Sequence, residues 1–129
     1  GAVGKATDSA GLRRLFEDLI AQGAENIDLV TPTHFLPTIL PALRPKLPVP
    51  VVYNCGGYER VETLRSLEGC VDIYLPDFKY ADACLAGQLS GAADYFPVAA
   101  DAIREMVRQV GPCVFDENGL LKKGVIAPK

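Results

Sequence analysis

Asp77 and Lys79 flank a single residue, Phe78. In an extended segment that spacing turns both side chains the same way, so a carboxylate and an ammonium could meet one zwitterionic ligand. The same pair would also make an ordinary salt-bridged loop. Asn54-Cys-Gly-Gly-Tyr58 carries paired glycines, whose backbone angles are closed to other residues. They allow either the close approach of a ligand or a strand-to-helix turn. His34, the single histidine, follows Thr31-Pro-Thr33; it suits a general base, a ligand or a surface capping residue. Cys55 could act as a nucleophile only with a basic partner to lower its pKa, and none stands nearby in sequence.

These residues sit where short apolar runs end. From Asp8 to Gly23, Leu12, Leu15, Phe16, Leu19 and Ile20 recur at helical spacing, with Asp8 or Ser9 as N-cap and Gly23 as stop. Asn26–Val30 reads as a buried strand broken at Thr31-Pro-Thr33. Phe35–Leu43 reads as a helix in which one of Pro37 and Pro41 begins the helix and the other kinks it. Val49–Tyr53 is a second strand closed by the Asn54–Tyr58 loop, Glu59–Leu67 a short helix stopped at Gly69, and Cys70–Leu75 a third strand followed by Pro76-Asp-Phe-Lys79. After an excursion over Tyr80–Phe96, a helix runs from about Pro97 to Val110, with Val98, Ala102, Met106, Val107 and Val110 on one side. Cys113–Phe115 and Leu120–Ile126 are strands around an Asp116-Glu-Asn-Gly119 turn.

Helices alternating with near-continuously apolar strands indicate an α/β fold with a parallel sheet, the strands covered by helices on both faces. A complete (β/α) barrel takes about 250 residues. A single domain of 129 residues therefore holds an open doubly wound sheet or a fragment of a barrel. In both, ligands bind beyond the carboxyl ends of the strands, which singles out Thr31–His34, Asn54–Tyr58 and Asp77–Lys79.

Composition excludes several classes. With a net charge of −3 and scattered basic residues, the chain offers no patch to neutralise a phosphate backbone, so nucleic-acid binding is not expected. No apolar run reaches the ~18–20 residues that cross a bilayer, and Gly1–Gly11 lacks a signal-peptide pattern, so no membrane is expected and the location reads as cytoplasmic. Cys55, Cys70, Cys84 and Cys113 form no Cys-x-x-Cys pair and read as free thiols in a reducing compartment. Neither a G-x-G-x-x-G fingerprint nor a phosphate-binding G-x-x-x-x-G-K-[ST] loop is present. Asp116 and Glu117 read as turn residues, and the helix charges as solvated faces.

Asn26-Ile-Asp-Leu-Val-Thr-Pro-Thr-His34, Val51-Val-Tyr-Asn-Cys-Gly-Gly-Tyr58, Val71-Asp-Ile-Tyr-Leu-Pro-Asp-Phe-Lys-Tyr80 and Asp116-Glu-Asn-Gly119 together resemble the pyruvate formate-lyase activating-enzyme homologues of bacteria. That family looks like a branch of the radical S-adenosylmethionine (SAM) superfamily, and the similarity runs from about Ala21 to Ile126. The resemblance implies a partial parallel (β/α) barrel, of which the chain would supply roughly four β/α units. It implies SAM and a [4Fe–4S] cluster as cofactors of the parent protein, the cluster held by a Cys-x-x-x-Cys-x-x-Cys loop that this chain lacks.

By the same resemblance Thr31 and Thr33 take the place of a Gly-Gly-Glu motif, with its glycines absent. Asn54 falls where the relatives place a polar residue against SAM, Gly56 opens the Gly56-Gly57-Tyr58 turn that follows and is expected to help bind the cofactor, and Asp77 and Lys79 match an Asp-x-Lys beside its methionine part. The implied activity is reductive cleavage of SAM to a 5′-deoxyadenosyl radical, with a glycyl-radical enzyme or another protein as substrate. The fragment alone is expected to be inactive, to hold no catalytic residue or metal, and to self-associate through its open sheet edge. The alternative is a non-catalytic open α/β module that binds a small ligand or a protein.

Overall fold

In the computed structural model, residues 8–30, 36–55, 60–76, 84 and 97–126 are described. Helix α1 (Ser9–Ala21) begins where Asp8, in extended backbone, accepts the Gly11 N–H on its carboxylate at 2.8 Å. It buries Leu12 and Phe16 and gives way to Gly23 at φ 103°. Strand β1 (Ile27–Val30) leads to α2 (Leu36–Ala42), β2 (Val51–Cys55), α3 (Val61–Ser66), β3 (Ile73–Pro76), α4 (Pro97–Val110), β4 (Val114–Phe115) and β5 (Leu121–Val125).

Two of these elements show how proline sets boundaries. In α2, Pro37 occupies the first turn, where its missing N–H has no helical partner to lose. Pro41 withholds an interior donor, and the helix ends one residue later at Ala42. β2 lies two residues beyond the expected Val49–Tyr53, since Pro48 and Pro50 cannot donate to a ladder. Asn54 and Cys55 are consequently strand residues rather than the start of a loop. α3 begins at Val61 behind Arg60, which has the extended N-cap backbone but no side-chain cap bond.

The sheet has five strands in the order β1-β2-β3-β5-β4, parallel except for β4, which runs antiparallel to β5. The protein is therefore an α/β fold built on a mostly parallel sheet. The order follows the chain without the reversal that defines a doubly wound sheet, as far as the described strands show.

Register and burial divide the sheet into two unlike faces. Ile27, Leu29, Val51, Tyr53, Tyr74 and Val125 share one face and pack in a single core with residues of all four described helices. The tyrosine rings of Tyr53 and Tyr74 meet edge to face, with centroids 5.9 Å apart. Alternation puts Asp28, Val52, Asn54, Ile73, Leu75 and Gly124 on the opposite face. Val52 and Ile73 are buried there, yet they stand outside the core that the helices make. Helices on both faces were expected; the described ones all pack on one side.

α4 is fastened to that core by a polar network as well as by Ala102, Ile103, Met106 and Val110. Glu105, 7% exposed, accepts from Arg108 at 2.6 and 2.9 Å and from Gln109 Nε2 at 2.7 Å. Gln109 also donates to the Leu64 carbonyl of α3 at 2.7 Å and accepts the Tyr74 hydroxyl at 2.6 Å. Arg108 reaches past the helix to Glu68 at 2.7 Å. The expectation of uniformly solvated helix charges is corrected here: Glu105 and Gln109 lie four residues apart on the inward side, where their polar groups find partners.

Candidate site at the carboxyl ends of the strands

The register levels the strand ends. Val30 lies beside Asn54, Asn54 beside Leu75, and Cys55 beside Pro76. With neighbouring strands ~4.8 Å apart, β1 and β3 deliver their ends within about 10 Å of each other. The chain continues from these ends into Thr31, Gly56 and Asp77. Thr31, Thr33, His34, Gly56, Gly57, Tyr58, Asp77 and Lys79 lie outside the described residues. Of the expected ligand contacts, Asn54 is described: it is half-buried, in strand β2, on the face opposite the helices.

The side chains at this end differ from those at the amino end of the same strands. There Asp72, buried, accepts the Val51 N–H at 2.9 Å and pairs with Lys46, while Asp72 N–H donates to the Val51 carbonyl at 2.9 Å. The one carboxylate oxygen so engaged, Oδ2, takes the Val51 N–H and the Lys46 ammonium together, which marks that end as structural. An aspartate at the head of an apolar strand was a legible sign of such a clamp.

On the open face, Cys84 and Cys113 are joined in a disulfide with Cα atoms 6.1 Å apart. The expectation that all four cysteines are free thiols is corrected for this pair; their sequence separation of 29 carries no information about proximity. Cys70 is free and buried, and Arg44 Nε lies 3.3 Å from its sulfur. Cys84 is bridged to Ile126, one residue beyond β5, so the crosslink lies at the same end of the sheet as Asn54. Gly124 makes room for it: a Cβ there would stand 2.6 Å from Cys113 Sγ and 2.9 Å from Cys113 Cα. A glycine inside a strand is the sequence sign of such a close approach.

Among the described residues, the charge perturbations lie on α4 and in the β4–β5 turn. Hydrogen bonds from Arg108 hold Glu105 down to about 2 against the opposing effect of burial, with further help from Gln109. The Arg108 guanidinium is pushed up in turn by Glu105 and Glu68. In the β4–β5 turn the Leu120 and Asn118 N–H groups, at 2.9 and 2.8 Å, lower Asp116 below the usual carboxylate range. The expected turn role of Asp116 is realised there, with Gly119 at φ 82°. Among the described residues no three His, Cys, Asp or Glu side chains group as a metal site, and no helix is long and apolar enough to cross a membrane.

No protein-family model matches the chain, and no solved structure matches it with significance. An uncharacterized protein of Methanocaldococcus jannaschii is 40% identical over 50 residues, covering 39% of this chain. The chain spans about 15% of that relative's length in the match.

Proposed function

We propose that the chain is part of a radical SAM enzyme of the activating-enzyme type, its sheet a portion of the wall of a partial (β/α) barrel. The observation that carries this reading is the level register of β1, β2 and β3, which brings the ends leading to Thr31, Gly56 and Asp77 to one edge. The one-sided packing of the helices supports it too, since a barrel wall has helices outside and a separate inner face.

In this proposal Asn54 offers its amide from the inner face, and Thr31, Thr33 and the Gly56 backbone, which follow the neighbouring strand ends in sequence, would complete the contacts. Asp77 would receive the amino group of SAM and Lys79 its carboxylate, each charge meeting its opposite. A [4Fe–4S] cluster, bound elsewhere in the parent protein, would supply the electron that cleaves SAM to a 5′-deoxyadenosyl radical. The protein's own contribution is then to hold the methionine part still and to exclude water from the strand ends. The hydrogen donor would be a protein, with a glycyl-radical enzyme the reading the resemblance favours, and the site of action the cytoplasm.

The test is 5′-deoxyadenosine formation under reducing anaerobic conditions by the longest reading frame that contains this chain, reconstituted with iron and sulfide. Product is expected, and Asp77→Asn and Lys79→Met are expected to reduce it by tenfold or more, as loss of a charge-assisted contact of about 1.5–3 kcal/mol requires. A folded protein that binds no cluster and forms no product would favour the non-catalytic ligand- or protein-binding module instead.

A further inference from the structure

The open face of the sheet carries a covalent feature that SAM chemistry does not use. Cys84 and Cys113 are both half-buried, whereas the free Cys70 is buried in the core. In the reducing cytoplasm of the proposed function, on which this inference rests, a disulfide kept permanently is unusual. We propose that Cys84–Cys113 is an exchangeable crosslink that pins the start of β4 to Cys84, beside the end of β5, when oxidised and lets the β4–β5 hairpin loosen when reduced.

The hairpin is the part of the sheet that most needs such a pin. β5 meets β3 through Ile73 with Gly124 and Tyr74 with Val125, held by Gly124 N–H to the Asp72 carbonyl and Ile126 N–H to the Tyr74 carbonyl, both at 3.0 Å. β4 is a two-residue edge strand with Val114 and Phe115 exposed. The crosslink joins the residue just before β4 to the one bridged with Ile126; since β3 takes the other side of β5 through Ile126 N–H to the Tyr74 carbonyl, both cysteines lie along the β4 side of β5. Gly124, at φ 145°, leaves the space in which Cys113 lies across that strand.

Reduction by a small dithiol balances simply. One reductant thiolate attacks a cysteine sulfur and displaces the other as a thiolate, which takes up a proton; the second reductant thiolate then resolves the mixed disulfide. Cys84 and Cys113 end as thiols, and the reductant ends as a disulfide, with two electrons transferred. Closing a chain separation of 29 residues restricts the unfolded ensemble, so reduction should lower the unfolding midpoint by on the order of 10 °C.

The experiment equilibrates the chain in glutathione buffers of graded potential, maps Cys84 and Cys113 by differential alkylation and mass spectrometry, and follows amide exchange in parallel. The two cysteines are expected to titrate together. Exchange at Lys123, Val125 and Ile126 should rise by about tenfold or more on reduction while Val52 and Tyr53 in β2 stay protected. Cys113→Ser should behave like reduced protein at every potential, and the titration of the unaltered chain stands as a test even if that variant folds poorly. Independent alkylation of the two cysteines in the unreduced chain, a crosslink that survives the most reducing buffer, or hairpin exchange that ignores its loss would each overturn the proposal. None of these readouts involves SAM.

Discussion

Asp72 and Val51 clasp each other twice: the aspartate carboxylate accepts the valine N–H at 2.9 Å, and the aspartate N–H reaches the valine carbonyl at 2.9 Å. Together the bonds set where β2 and β3 begin, and so where both strands end. Asp72→Ala leaves the buried Val51 N–H without that acceptor and should cost about 2–4 kcal/mol. Lys46, largely exposed, contributes less, and Lys46→Ala should cost under about 1 kcal/mol. Urea titrations of both variants check the ranking; equal losses would move the stabilisation from the backbone clasp to the ion pair.

Glu105 makes stability depend on acid. Its pKa falls from 4.5 to about 2 in the folded chain, chiefly through Arg108, so folding favours the charged carboxylate. The resulting stabilisation is full above about 4.5 and is lost as pH falls towards about 2. Denaturant midpoints at pH 6, 4 and 3 should decline, and Glu105→Gln should decline less over the same interval. Parallel decline in both would assign the acid sensitivity to other carboxylates.

Gly124 should tolerate no side chain. Its φ of 145° strains any L residue, and a Cβ would meet both the sulfur and the Cα of Cys113. Gly124→Ala is expected to destabilise by about 2–4 kcal/mol. Cys113→Ala removes the clashing sulfur and the crosslink together, so the Gly124→Ala cost should be smaller in a Cys113→Ala background than in the unaltered chain, while the close Cα keeps it above zero; a double-mutant cycle measures this coupling. Strict additivity would mean that the two residues do not touch.

The Tyr74 hydroxyl donates to Gln109 Oε1 at 2.6 Å, linking β3 to α4. Tyr74→Phe keeps the ring that meets Tyr53 and removes that donor. A loss of about 1 kcal/mol is expected, as for a neutral hydrogen bond. Equilibrium unfolding measures it, and no loss would leave the edge-to-face ring contact as what matters at this position.

Apolar periodicity made most elements legible. Leu12 and Phe16, or Ala102 and Met106, repeat as a helix facing a core must, and Asp8, Gly23 and Asp116 carry their signals within a few neighbouring residues. Strand limits were less legible, since Pro48 and Pro50 shift β2 by their missing donors while leaving its hydrophobic run intact. The clasp of Asp72 on Val51, the pairing of Cys84 with Cys113 and the burial of Glu105 joined residues far apart in sequence or relied on a neighbouring helix. Patterns read along one chain carry no distance between its remote parts. At the candidate site Asn54 was legible as a polar residue at a strand end, but its membership of the open face needed the register with Val30 and Leu75.

The sheet order also sets an order of assembly. β1, β2 and β3 lie beside one another in the sequence in which they leave the ribosome, each joined to the next through a single helix, so the core around Leu29, Tyr53 and Tyr74 can grow by local steps. The final pair breaks the rule: β4 is synthesised before β5 yet lies outside it. Among the described strands it has no partner until β5 arrives to stand between it and β3. During synthesis, the exposed Val114 and Phe115 therefore wait on residues still to come, and the interval before Leu121–Val125 emerges is when this chain is most open to wrong partners.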